Sequence, residues 1–231
     1  MRKVYLATVL IVTMVVGSSA QTSYSLKSAL DFFHSQKMAN GEYSNTLTEK
    51  DIQGSPYLND NFIKGSIYTV SKTQYQDIPL RYNIYNDDME FQTNDNNVLA
   101  LSTPEIVEKI TFGDYTMEYI PYVTSRNVKN GFFELILKGK ASLYAKPQVE
   151  FLEAKDPAPY KDAEPAKFLR KDDRYYIRLG MEAAVPCGNK KDVLGIFTDH
   201  SEELEAFIKK NKINVKKEDE LKKLVEYYNS L

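Results

Sequence analysis

Tryptophan is missing from this chain and cysteine occurs once, at Cys187. A lone cysteine leaves no internal disulfide, so stability has to come from packing. Histidine occurs only at His34 and His200, and neither an H-E-x-x-H nor a C-x-x-C spacing is present. That scarcity removes the usual zinc ligand sets, and no metal or cofactor is expected. No G-x-S-x-G elbow, no G-x-G-x-x-G turn and no phosphate-cradling glycine loop occurs either, so serine hydrolase and nucleotide chemistry lose their usual footprints. Charge of one sign is also lacking. Lysine and arginine number 30 against 32 aspartates and glutamates, a net of −2, and the signs alternate along the chain. A nucleic-acid partner would need a basic face, so none is expected.

Long apolar runs are scarce, and the longest stands at the start. Arg2 and Lys3 precede Val4 to Val16, and Gly17 then leads into Ser18, Ser19 and Ala20. The run falls short of the roughly 20 residues that a membrane-spanning helix needs. The pattern predicts a secretory signal peptide over 1–20, cleaved between Ala20 and Gln21, with an uncleaved anchor as the alternative. Gln21 is not a cysteine, so lipid attachment after cleavage is not expected. Processing leaves 211 of 231 residues and moves the formal charge from −2 to −4. A chain of that length can bury one sizeable core. The expected location is periplasmic or secreted, with no integral membrane span after processing.

What the chain does have is aromatic surface: 17 tyrosines and 11 phenylalanines. Such a load suits half-buried sheets, and a tyrosine-rich binding face is the sharper alternative. Leu26, Leu30 and Phe33 fall at helical spacing, predicting a short helix over 24–37. Residues 38–61, with Asn40-Gly41, Gly54-Ser55-Pro56 and Asn59-Asp60-Asn61, predict an irregular segment of low order. Strand patterns follow over 62–70, 78–85, 89–93, 98–101, 109–112, 115–122, 132–138 and 141–152, with turns at Gly113-Asp114 and Gly139-Lys140. In 78–85, Leu80, Tyr82 and Ile84 alternate with Arg81 and Asn83, as in a strand wet on one side. The proline-rich stretch 154–166 reads as a linker or a crossing at one end of the sheet. Residues 168–179 then read as two strands around an Asp172-Asp173 turn.

The last residues are helical. Asn189 with Asp192 forms a cap pattern, and Asp199 or Ser201 starts a helix carrying Leu204, Phe207 and Ile208 that stops near Asn211. From about Lys217, Leu221, Leu224, Val225, Tyr228 and Leu231 make one apolar stripe that must be buried, most simply against the sheet. The expected organisation is therefore a signal at 1–20, a helix and irregular segment over 21–61, antiparallel β structure over 62–180 and helices over 181–231.

Candidate chemistry is sparse. Cys187 and His200 could form a nucleophile pair if they met in space, because an imidazolium stabilises a thiolate. Against this, Cys187 stands between Pro186 and Gly188 without a family signature, which suits a partly buried structural thiol. Glu90 and Glu118 lie in strand patterns and could face each other as a glycosidase couple does, or line a solvated face. The clusters at 59–61, 86–88 and 94–97 offer oxygen ligands to calcium, but their residue types also favour the left-handed conformations of tight turns.

Several stretches together carry a resemblance: Gly54-Ser55-Pro56-Tyr57-Leu58, Pro79 to Tyr85 leading into Met89-Glu90-Phe91, Gly131 to Glu134 with Gly139 to Tyr144, and the ending Val225 to Leu231. They resemble exported proteins of unknown function in Gram-negative bacteria of the Bacteroidota type. The resemblance covers most of the chain after the signal and brings no catalytic residue.

The expected fold is α+β and mainly antiparallel β: a meander of about eight to ten strands, curved or partly closed, with C-terminal amphipathic helices on one face or end. A membrane β-barrel is the rival, set back by the helical ending. The expected function is non-enzymatic binding of a ligand or envelope partner. An envelope hydrolase using Cys187 and His200 or a carboxylate pair, and a scaffold docking through its C-terminal helices, are the alternatives.

Overall fold

Ten strands form one antiparallel sheet in the computed structural model, which describes residues 52–157, 159 and 162–231. In chain order they are β1 (Ile63–Thr69), β2 (Gln74–Asn83), β3 (Asp88–Gln92), β4 (Val98–Ala100), β5 (Val107–Phe112), β6 (Tyr115–Val123), β7 (Val128–Leu137), β8 (Ala141–Leu152), β9 (Lys167–Leu179) and β10 (Val185–Pro186). Three helices follow: α1 (Lys190–Ile196), α2 (Ser201–Asn211) and α3 (Glu218–Ser230). The chain is thus α+β with a curled antiparallel sheet and C-terminal helices. The signal segment and the helix expected over 24–37 lie outside the described residues. Among the described residues no helix is long and apolar enough to cross a membrane.

The order β10-β9-β8-β7-β6-β5-β1-β2-β3-β4 is a meander with one departure. After β4 the chain passes through a short 3-10 turn (Pro104–Ile106) and returns to place β5 against the free edge of β1. At the other end the sheet curls onto itself. Ala184, next to β10, makes a parallel bridge to Tyr122 of β6, where its N–H donates to the Pro121 carbonyl (2.8 Å) and its carbonyl accepts from the Val123 N–H (2.9 Å). Strands β6 to β10 therefore surround a small core of Ile120, Phe133, Tyr144, Tyr176 and Ala184. Across that core the rings of Tyr122 and Tyr176 meet edge-on at 5.8 Å, although two strands separate β6 from β9 in the sheet order.

Strand alternation sends neighbouring residues of β8 and β9 to opposite faces of the sheet, and so to different cores. Tyr144 and Tyr176 point inward, while Leu143 and Ile177 point outward to the helices. There α3 buries Leu221, Leu224, Val225 and Tyr228, each contributing about 1.5–3 kcal/mol of burial. Leu231, the last member of the expected stripe, is exposed instead because the helix stops at Ser230. Asn189 caps α1 as expected, its Oδ1 accepting from the N–H groups of Lys191 and Asp192. Ser201 starts α2 as expected, with His200 in the cap position and no side-chain cap bond there.

Two further expectations are corrected. Residues 168–179 are one strand, not two. Lys146 pairs with Arg174 and Gln148 with Lys171, so Asp172 and Asp173 form a bulge opposite Pro147 where a turn was expected. Between β8 and β9, Lys155 and Glu164 form an antiparallel bridge, in keeping with the alternative of a crossing at one end of the sheet. The second face of β2 is also covered. Tyr57 bridges Asn83, the Leu58 N–H donates to the Tyr82 carbonyl, and Asn83 is fully buried. The described part of the irregular segment, 52–61, is thus a tied-down cover for Arg81 and Asn83.

Candidate functional site

The two carboxylates singled out from the sequence are buried, and each is held by its own cation. Glu90 of β3 lies opposite Arg81 of β2. Its Oε2 accepts from Arg81 Nη2 (2.8 Å) and Nε (3.3 Å), and its Oε1 accepts from Asn83 Nδ2 (3.1 Å). The Arg81 guanidinium lies over the rings of Tyr57 (3.6 Å) and Phe62 (4.3 Å), which fixes its plane. Glu118 of β6 belongs to the small core. It accepts from Tyr144 Oη (2.6 Å) and from Lys138 Nζ (2.8 Å). Burial, followed by the Glu118 bond and charge, raises the Tyr144 hydroxyl well above the ordinary tyrosine range. The fold does not bring Glu90 and Glu118 together as an acid–base couple; both complete internal polar networks.

Cys187 and His200 are likewise placed in different surroundings. The thiol is packed with Val193 and Phe197 in the helix-facing core, and burial pushes it up to about 12. At neutral pH it is a protonated thiol, the opposite of an activated nucleophile. The His200 ring is engaged by Glu203 through Nδ1 and packs edge-on to Tyr228. Two of the three turn clusters hold a left-handed residue of the kind their composition favours, Asp87 (φ 59) and Asn96 (φ 61); the cluster at 59–61 does not.

The polar cluster that sequence reasoning missed is centred on Lys146. Its Nζ donates to Asp87 Oδ2 (2.8 Å) and to the Phe132 carbonyl (3.0 Å), and it lies over the Phe133 ring at 4.6 Å. Asp87 Oδ1 accepts from the Tyr82 hydroxyl (2.7 Å) and the Phe132 N–H (3.2 Å). Continuing the Glu134–Ala145 register by two residues sets Phe132 opposite Pro147, which has no N–H to offer. The side chains of Lys146 and Asp87 take over the backbone groups that β8 cannot satisfy. Gly131 makes the room, since a Cβ there would lie 2.5 Å from Asp87 Oδ2. Burial lowers the Lys146 ammonium from the ordinary lysine range despite Asp87 beside it. Next to it, burial and the charges of Asp87 and Glu90 raise Asp88 to about 6. Pro147 and Asp87 were both visible in the sequence, but nothing there indicates that they meet.

An open groove of about 530 Å³ lies between α1 and the β9–β10 edge. Ile177, Leu179, Val185 and Ile196 form its apolar walls, with Glu182 and Asp192 as its charged lining residues. A volume of that size matches small-ligand sites. The turn bearing Glu182 is fixed from beneath by buried Arg178, whose Nε donates to the Glu182 carbonyl (2.6 Å) and Nη2 to the Met181 carbonyl (3.0 Å). Asp192 Oδ2 accepts from Asn189 Nδ2 (2.8 Å).

The fold and this groove define the class: an α+β protein with a curled antiparallel sheet, partly closed on itself, and a helical layer against its closed part. Comparison with protein-family models, curated proteins and solved structures finds no match for this chain.

Proposed function

We propose that this chain is an exported protein that binds a small ligand without transforming it, with the groove between α1 and the β9–β10 edge as its binding site. The observation that carries the reading is the groove itself: a ligand-sized, mainly apolar trough with Glu182 on a turn held by Arg178 and Asp192 in the first turn of α1, bonded to Asn189. Preformed walls of this kind favour affinity because little has to be ordered on binding. The protonated Cys187 thiol supports binding over thiol chemistry. Export is supported by the Arg2-Lys3 start, the apolar run from Val4 to Val16 and the small residues before Gln21.

The test is native mass spectrometry of the protein isolated gently from the cells that make it. A chain beginning at Gln21 and carrying a stoichiometric small molecule is the expected result. A chain still beginning at Met1 would overturn the export reading. A bare chain that stays bare after exposure to its own cell extract would overturn the binding reading.

A further inference from the structure

Gly195 is a glycine that neither backbone nor packing requires. It lies inside α1, its φ is not in the left-handed region, and a Cβ built on it meets nothing within 4 Å. Glycine in a helix costs about 1 kcal/mol relative to alanine. Here its effect is to leave the groove open, because Gly195 lines the trough beside Ile196. A second observation concerns charge. Glu182 and Asp192 are the groove's charged lining residues, and among the described residues no lysine, arginine or histidine lines it. The neighbouring Lys190 is turned to Glu205, with which it pairs at 3.2 Å.

We propose that the groove takes an organic cation with an apolar body, its positive head between Glu182 and Asp192 and its body along Leu179, Val185 and Ile196. This rests on the binding reading and adds the chemical class of ligand. An anion would meet two carboxylates without a counter-charge and is disfavoured on the same ground. A neutral apolar molecule gains the walls but leaves the carboxylates facing nothing of opposite sign.

Calorimetric titration of the purified protein with octyltrimethylammonium, octanol and octanesulfonate tests this below their micellar concentrations. The expected order is cation first, with octanol about tenfold weaker and the sulfonate weaker still. Glu182→Gln and Asp192→Asn each reduce binding of the cation several-fold, and Gly195→Phe, which fills the open space, abolishes it. Circular dichroism confirms that the variants are folded. Equal binding of octanol and the cation, unchanged by the two carboxylate variants but lost in Gly195→Phe, would overturn the cation inference and leave the groove a binding site. Binding unaffected by Gly195→Phe, or no binding by any probe, would overturn both.

Discussion

Lys146 and Asp87 approach to 2.8 Å and together occupy both backbone groups of Phe132. The pair ties the β2–β3 turn to β7 and β8 at the point where Pro147 interrupts the ladder. Removing one member leaves the other buried without its partner, which typically costs 3–5 kcal/mol. Lys146→Met is therefore expected to destabilise by about 3 kcal/mol in urea unfolding, and Asp87→Asn by somewhat less, because an amide still accepts from Phe132. The double variant should cost less than the sum of the singles. Strict additivity would show that the two side chains do not work as a pair.

Asn229, near the end of α3, pairs with the backbone of Ala141 as a neighbouring strand would. Its Oδ1 accepts from the Ala141 N–H (2.7 Å) and its Nδ2 donates to the Ala141 carbonyl (2.9 Å). Asn229→Ala should lower stability by about 1–3 kcal/mol, read as a fall in urea midpoint with an unchanged slope. Gly139→Ala should do comparable damage, since a Cβ there would lie 2.3 Å from Asn229 Nδ2. A change under about 0.5 kcal/mol in both would mean that α3 is held by its apolar face alone.

Glu134 introduces a pH dependence whose sign is fixed. Burial, then the charges of Glu218 and Asp173, raise it to about 7 against the offsetting charge of Arg170. The folded state therefore holds this proton more tightly than the unfolded chain. Below about pH 4.5 both states are protonated and no penalty exists; stability falls as pH rises from there to about 7 and then levels off. Glu134→Gln should match the parent near pH 4 and exceed it at pH 8 by about 1–2 kcal/mol, allowing for the group's solvent contact. Parallel stability curves for the two proteins across that range would refute this.

Cys187 should react slowly with iodoacetamide at pH 8 in the folded protein and quickly in urea. With its thiol pushed up to about 12, only about one molecule in ten thousand carries the thiolate at that pH. Rapid labelling without denaturant would place the thiol in a more polar setting than its packing with Val193 and Phe197 implies. Cys187→Ala should keep the native circular dichroism spectrum.

Local pattern carried much of the architecture. Alternation and turn residues located the strand pairs on either side of Gly113 and Gly139, and the Asn189–Asp192 cap and the Leu221 to Tyr228 stripe located α1 and α3. Those signals are legible because one strand or helix holds all the residues that produce them. Asp172-Asp173 misled for the same reason: two aspartates in a row have the composition of a turn, and only their position opposite Pro147 makes them a bulge. The face of β2 bearing Arg81 and Asn83 reads as wet because its cover, Tyr57 and Leu58, comes from a stretch without periodicity.

By itself, then, the sequence determined the fold class, the antiparallel succession of strands, the helical ending and the scarcity of metal-ligand patterns, all of which follow from local composition and spacing. The tertiary structure alone decided that β5 returns to β1, that Ala184 closes the sheet on β6, that Lys146 and Asp87 replace a missing ladder, and that Glu182 and Asp192 share a groove. Each of these joins residues far apart along the chain. Such contacts depend on where the curved sheet closes on itself, and no local pattern encodes that.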